Sequence, residues 1–175
     1  HMKHIKARSV AYDDAPQDST KLFSHNADVD RLNAEALAKL TSDQKNFGMF
    51  SDGSTALVAM LKKGCLSPES LALKVGASVM FSKNNPKEGF VNGTLGTVVR
   101  FEQGTGYPVV QTSNNKIIIV GPMDWSIEEN GKVKASISQI PLRLAWAITV
   151  HKSQGMSLDS AVMDLSNVFE FGQGY

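Results

Sequence analysis

The run Ile140-Pro-Leu-Arg-Leu-Ala-Trp-Ala-Ile-Thr-Val-His-Lys-Ser-Gln-Gly-Met156 brings helix punctuation and chemically capable side chains together in one place. Pro141 suits the first position of a helix, where its missing N–H costs nothing, and Gly155 can supply the left-handed residue that ends one. Between them Leu142, Ala145, Trp146, Thr149 and Val150 follow the i, i+3, i+4, i+7, i+8 pattern of a buried stripe. The spacing therefore predicts a helix over 141–155. Arg143, Ala147, His151 and Gln154 fall on its opposite side, so its last turn presents Thr149, His151, Lys152, Ser153 and Gln154 as a polar cluster.

That cluster holds hydrogen-bond donors and a cation but no carboxylate. It suits contacts to phosphate or nucleotide better than acid–base chemistry or metal binding. From composition alone the plainer reading is a surface helix end, whose Lys152 and His151 complement the macrodipole.

Outward from this run, the chain has 175 residues, 42% hydrophobic and 20% charged, enough for one or two ordinary cores. A net charge of +1 means that nucleic-acid contacts must come from local arrangement, not from bulk attraction. The single Cys65 excludes an intramolecular disulfide and a cysteine-based zinc cluster, and reads as a small half-buried thiol. No secretory segment or apolar run of spanning length is present, so the reading is an intracellular chain without a membrane partner.

In chain order, Ile5 to Tyr12 alternates weakly as a strand. Thr20 to Asn26 is strand-like and ends in turn formers, and Asp28 is placed to cap a helix over Val29 to Leu40. Val29, Leu32, Ala36, Leu37 and Leu40 form its apolar face, with Arg31, Glu35 and Lys39 outside. Asn33 reads as a polar helix residue and not as a ligand. Thr41 to Leu71 is polar apart from a helix over Ser54 to Lys63, stopped by Gly64. From Leu73 the pattern changes to short strands: Ser78 to Lys83, Gly96 to Glu102, Val109 to Ser113, Lys116 to Val120 and Lys132 to Gln139. Five such strands predict a small antiparallel barrel. Lys74, Lys83, Lys87 and Arg100 outweigh Glu88 in its early half, where scattered surface lysines are a commoner explanation than a strand-guiding patch. Trp125, beside Asp124, Glu128 and Glu129, reads as a barrel packing residue. Ala161 to Leu165 reads as a buried strand of a parallel sheet.

The run Leu142 to Asp159 resembles motif V of the superfamily-one DNA helicases of the five-prime-to-three-prime branch, closest to the petite-integration-frequency helicases and related to RecD. Leu73 to Met80, Val91 to Val98 and Val168 to Tyr175 resemble the same family in the same order, and Leu22 to Asn33 is similar to its motif IV. The resemblance implies an α/β fold: a partial RecA-like second motor domain over 1–74 and 138–175, interrupted over 75–137 by a Src-homology-three-like antiparallel β-barrel. It implies that Thr149, His151 and Lys152, with His25 and Asn26, meet single-stranded DNA, and that Ser153, Gln154 and Gly155 couple nucleotide state to that grip. For His25 and Asn26 alone, an ordinary turn and cap is the plainer reading.

The resemblance further implies ATP and magnesium as cofactors of an intact parent helicase, and a preceding motor domain of the same parent as partner. None is expected of this piece alone, which is read as a monomer, cytoplasmic in a bacterium and nuclear or mitochondrial in a eukaryote. The reading from a different class is a stand-alone module that binds nucleic acid or protein through the barrel. No G-x-x-x-x-G-K-[ST] run occurs, no acidic pair ends an apolar strand, and no arginine follows Arg143. The purified chain should therefore show no ATP turnover, because phosphoryl transfer needs a phosphate cradle and a metal site. Phosphate release measured with and without single-stranded DNA checks this.

Overall fold

The structure is a computed structural model that describes residues 20–23, 26–149 and 161–163, with backbone only at Phe23, Asn26 and Ala161–Met163. Its elements run β1 (Thr20–Phe23), α1 (Asn26–Lys39), β2 (Lys45–Gly48), β3 (Phe50–Gly53), α2 (Thr55–Gly64), β4 (Ser70–Leu73), β5 (Ser78–Phe81), β6 (Leu95–Phe101), β7 (Pro108–Thr112), β8 (Ile117–Ile119), β9 (Met123–Glu129), β10 (Lys132–Gln139), β11 (Leu142–Leu144), β12 (Ala147–Thr149) and β13 (Ala161–Met163). Among the described residues they form four sheets: a parallel one ordered β12-β1-β13, and antiparallel ones ordered β11-β5-β6-β7-β8, β3-β10-β9 and β2-β4.

The predicted helix over 141–155 is not there. Its first half is two strands, β11 and β12, and residues 150–155 lie outside the described residues. The physical reason is burial on all sides. A helix would leave Arg143 and Ala147 facing water, whereas Arg143 is 8% exposed and Leu142, Ala145, Ala147 and Ile148 have no exposed surface. An apolar run satisfies a helical period and a doubly buried strand equally well, and here the neighbouring strands decide. β11 pairs antiparallel with β5, and β12 pairs parallel with β1.

α1 begins at Asn26, so Asp28 lies in its first turn and does not cap it; an acidic residue there still opposes the positive end of the helix dipole. Arg31 and Glu35 bond at 2.9 Å on the outer face, as the spacing predicted. Ser54 caps α2 by accepting from the Leu57 N–H. The polar segment 41–71 also contains β2 and β3, whose mostly exposed residues give no alternation to read, and it leads into β4, which buries Leu71 and Leu73. The possible strand at Ile5 to Tyr12 lies outside the described residues.

Four of the five predicted barrel strands share one sheet as β5 to β8, with β11 as its fifth member. Lys132 to Gln139 does not join them. It pairs as β10 with β9, a strand that was not foreseen, and with β3. The β9–β10 turn explains that pairing: Asn130 and Gly131 have φ of 51° and 74°, the two positive values of a tight type I′ hairpin. Trp125 therefore sits on β9, half-buried, with the Lys83 ammonium 4.4 Å from its ring centre.

The largest core runs from Leu37 of α1 through Leu71 and Leu73 to Val79, Phe81, Val98, Val110 and Leu142. Phe81 and Phe90 stack within it, their ring centres 4.1 Å apart. Met80, on the other face of β5, belongs to a second cluster with Leu22, Ala145 and Ile148. β5 is thus buried on both faces and joins the antiparallel sheet to the parallel one. Gln139 stitches a further seam, donating to the carbonyls of Phe47 and Pro68 and accepting from the Ile140 N–H.

Gly53 is the tightest backbone approach in the β3–β10 pair. With φ of +112°, a Cβ there would lie 2.6 Å from Ala135 Cα and from the Lys134 carbonyl oxygen. Gly53→Ala should cost about 1–3 kcal/mol, the range for a strained backbone position. Gly48→Ala, where a Cβ meets nothing within 4 Å, should be near neutral. Paired thermal melts check the contrast.

Candidate nucleic-acid interface

All three strands of the parallel sheet end at one edge. The register sets Thr20, Lys21 and Leu22 of β1 opposite Ala161, Val162 and Met163 of β13 on one side. On the other side it sets Lys21, Leu22 and Phe23 opposite Ala147, Ile148 and Thr149 of β12. Phe23 and Thr149, the last residues of their strands, are therefore direct neighbours. In open α/β sheets this carboxyl edge is where ligands sit, because the loops and helix N-termini that follow the strands converge there. α1 starts at Asn26, immediately after this edge, with its unpaired N–H groups at that end.

The predicted contact residues distribute as follows. Thr149 is buried, 3% exposed, at the end of β12. Asn26 is the first residue of α1. His25, His151, Lys152, Ser153, Gln154 and Gly155 lie outside the described residues, although in sequence each adjoins an end that the register brings to this edge.

Asn33 is the residue whose importance the sequence reading missed. Its side-chain amide donates from Nδ2 to the Ala147 carbonyl at 2.9 Å, and its Oδ1 accepts from the Ala147 N–H at 2.9 Å. On the other side of β12, the Lys21 N–H donates to the Trp146 carbonyl, so the Ala147 backbone groups point away from β1. Asn33 acts there as one residue of a missing strand, satisfying both groups of an otherwise open edge. It thereby locks α1, which follows β1, to the strand that ends in Thr149. A signal existed in the sequence: Val29, Asn33 and Leu37 are spaced by four, and all three are buried, so Asn33 interrupts an apolar stripe.

Cys65 is half-buried, and burial pushes its thiol up from its ordinary value despite the opposing Ser67 N–H and Lys83, so it stays protonated near neutrality. Among the described residues no cluster of three His, Cys, Asp or Glu side chains is placed to hold a metal ion.

Asn33→Ala should destabilise the chain by about 1–3 kcal/mol, the cost of stranding buried polar groups. Asn33→Asp should behave differently with pH. Burial and the facing Ala147 carbonyl favour the protonated acid, raising its folded pKa above the unfolded one. The variant should be most stable in acid and lose stability as pH rises through the folded pKa, a trend that urea melts across pH would read.

Residues 57–101 match the family model described as the 2B domain of DNA helicase Pif1. The chain is 35% identical over 218 aligned positions to the ATP-dependent DNA helicase Pif1 of Psychrobacter sp., covering 96% of this chain and 33% of that protein. It is 38% identical over 159 positions to the ATP-dependent DNA helicase PIF1 of Xenopus laevis, covering 90% of this chain and 25% of that protein. The crystal structure of Bacteroides Pif1 bound to single-stranded DNA superposes with a TM-score of 0.70 at 28% identity, over 96% of this chain and 38% of that one. The chain thus spans about a quarter to a third of the length of these relatives. With this similarity running through nearly all of its residues in sequence and in fold, the chain belongs to the Pif1-like branch of the superfamily-one helicases.

Proposed function

We propose that this chain is the second motor-domain portion of an ATP-dependent DNA helicase, whose parent translocates on single-stranded DNA and unwinds duplex as ATP closes the cleft between two RecA-like domains. The observation that carries the reading is the parallel register Phe23 to Thr149, which sets the ends of β1 and β12 side by side. The segments that follow those ends hold His25 and Asn26 in one case and His151 to Gly155 in the other. In this proposal Thr149, His151, Lys152, His25 and Asn26 contact the phosphates of the tracked strand, and Ser153, Gln154 and Gly155 couple nucleotide state to that grip. The motor domain comprises 1–74 and 138–175, and 75–137 is the inserted barrel of Src-homology-three type, represented by the sheet of β5 to β8.

ATP and magnesium belong to the parent in this reading. The phosphate-loop pattern that would cradle them is missing from the sequence of this chain. No catalytic step is therefore assigned to this chain. Its share is to hold DNA and to present a cleft surface to the preceding motor domain of the parent. A stand-alone barrel module is the less favoured reading, because the similarity to the helicases extends through the parallel sheet as well as the antiparallel one.

Titration of a labelled single-stranded oligonucleotide at low salt tests the assignment. Non-specific phosphate contacts by part of a channel should give an affinity of about 10⁻⁴ to 10⁻⁶ M at physiological salt, tightening as salt falls. His151→Ala should weaken binding several-fold. Thr149→Val, which keeps the buried volume and removes the hydroxyl, should also weaken it, whereas Lys87→Ala should change it little. Loss of binding in Lys87→Ala with both other variants unaffected would move the DNA site to the barrel.

A further inference from the structure

Among the described residues β12 is an edge of the parallel sheet, and its 3 residues pair with β1 on one side only. On its other side Asn33, 6% exposed, donates from Nδ2 to the Ala147 carbonyl and accepts at Oδ1 from the Ala147 N–H, both at 2.9 Å. Apolar packing does not require an amide at this place. Val29 and Ala147 already pack together with Leu32 against them, and a leucine at position 33 would continue the stripe of Val29 and Leu37. What the amide adds is direction. Apolar contacts are non-directional and tolerate sliding, whereas a pair of hydrogen bonds that must stay within about 2.7–3.2 Å sets where along β12 the helix sits. A slip by one helical residue, about 1.5 Å, would break both bonds.

That register matters because of what lies at the two ends it relates. From Asn33 back to Asn26, where α1 starts, is about 10 Å of helix. From Ala147 forward to Thr149, where β12 ends, is about 7 Å of strand. The β1–β12 ladder sets Phe23 beside Thr149, and the Asn33 bonds set the helix that follows Phe23 against the same strand. We propose that Asn33 is a positioning residue for DNA: through Ala147 it fixes the spacing between the start of α1 and the end of β12, so that both segments grip one single strand at once. Asn33 itself, buried between helix and strand, touches no DNA. The inference rests on the assignment of DNA to this edge. Its energetic consequence is that of two linked sites, where the second contact adds affinity only while the spacing between the segments fits the strand.

The test compares fold-changes in titrations of a labelled single-stranded oligonucleotide at low salt, with each variant of the full chain checked for folding by circular dichroism. In the parent chain His25→Ala and His151→Ala should each weaken binding several-fold, since each segment contributes to one grip. Asn33→Leu, which keeps the apolar packing and removes both bonds, should weaken binding several-fold as well. In that background His25→Ala should have no further effect, because the start of α1 no longer meets the strand held at the end of β12, while His151→Ala should keep its effect. Simple loss of folded protein would scale every affinity by one factor and leave the His25→Ala ratio as it is in the parent. Asn33→Gln keeps both polar groups of the amide and moves them outward by about 1.5 Å, the length of one carbon–carbon bond. It leaves Ala147 with partners, so it should fold even where Asn33→Leu does not, and it should show the same loss of the His25→Ala effect. A full His25→Ala effect in these Asn33 variants would overturn the inference and leave the DNA assignment standing. Parent binding that is absent, or insensitive to both histidine substitutions, would remove the two together.

Discussion

β5 carries the constraint on which the rest of the structure depends, because it is buried on both faces. Val79 and Phe81 point into the core of the antiparallel sheet, and Met80 points the other way into the cluster of Leu22, Ala145 and Ile148. Each has no exposed surface. Burying a side chain of this size contributes roughly 1.5–3 kcal/mol, and on β5 alternate residues contribute to different cores. A one-residue slip of β5 would exchange every side chain between those cores. The pairing of β11 with β5 then sets where the chain emerges toward β12, and so where Thr149 ends.

Two buried side-chain amides complete what the backbone ladders leave unfinished. Asn33 closes the open side of β12, and Gln139 ties the end of β10 to the carbonyls of Phe47 and Pro68. Each joins segments far apart in sequence, the Asn33 pair by 114 residues. In a dry environment such bonds are stronger, and costlier to leave half made, than at the surface. At the carboxyl edge of the parallel sheet, β12 pairs with β1, and α1, which follows β1, is bonded to β12 directly.

Arg143 departs from the same rule. Its neighbours Leu142 and Ala145 are packed as the strand requires, whereas its Nε and Nη1 have no hydrogen-bond partner among the described residues.

Much of the chain was legible in its sequence. Turn chemistry and alternation located β5 to β8 and β10, the helical stretch from Ser54 to Lys63 with its stop at Gly64 located α2, and the apolar run at 161–165 marked β13. The run from Leu142 to Asp159 was specific enough to identify the family before any fold was known. What the sequence could not decide was the conformation of that same run. Leu142 to Thr149 satisfies a helical stripe and a doubly buried strand alike, and the choice rests on β5 and β1, which lie more than sixty residues away in the chain. The partners of β10 and the edge-closing role of Asn33 were hidden for the same physical reason: each is a long-range hydrogen-bond pairing, and local periodicity records which side chains are buried without recording what they are buried against.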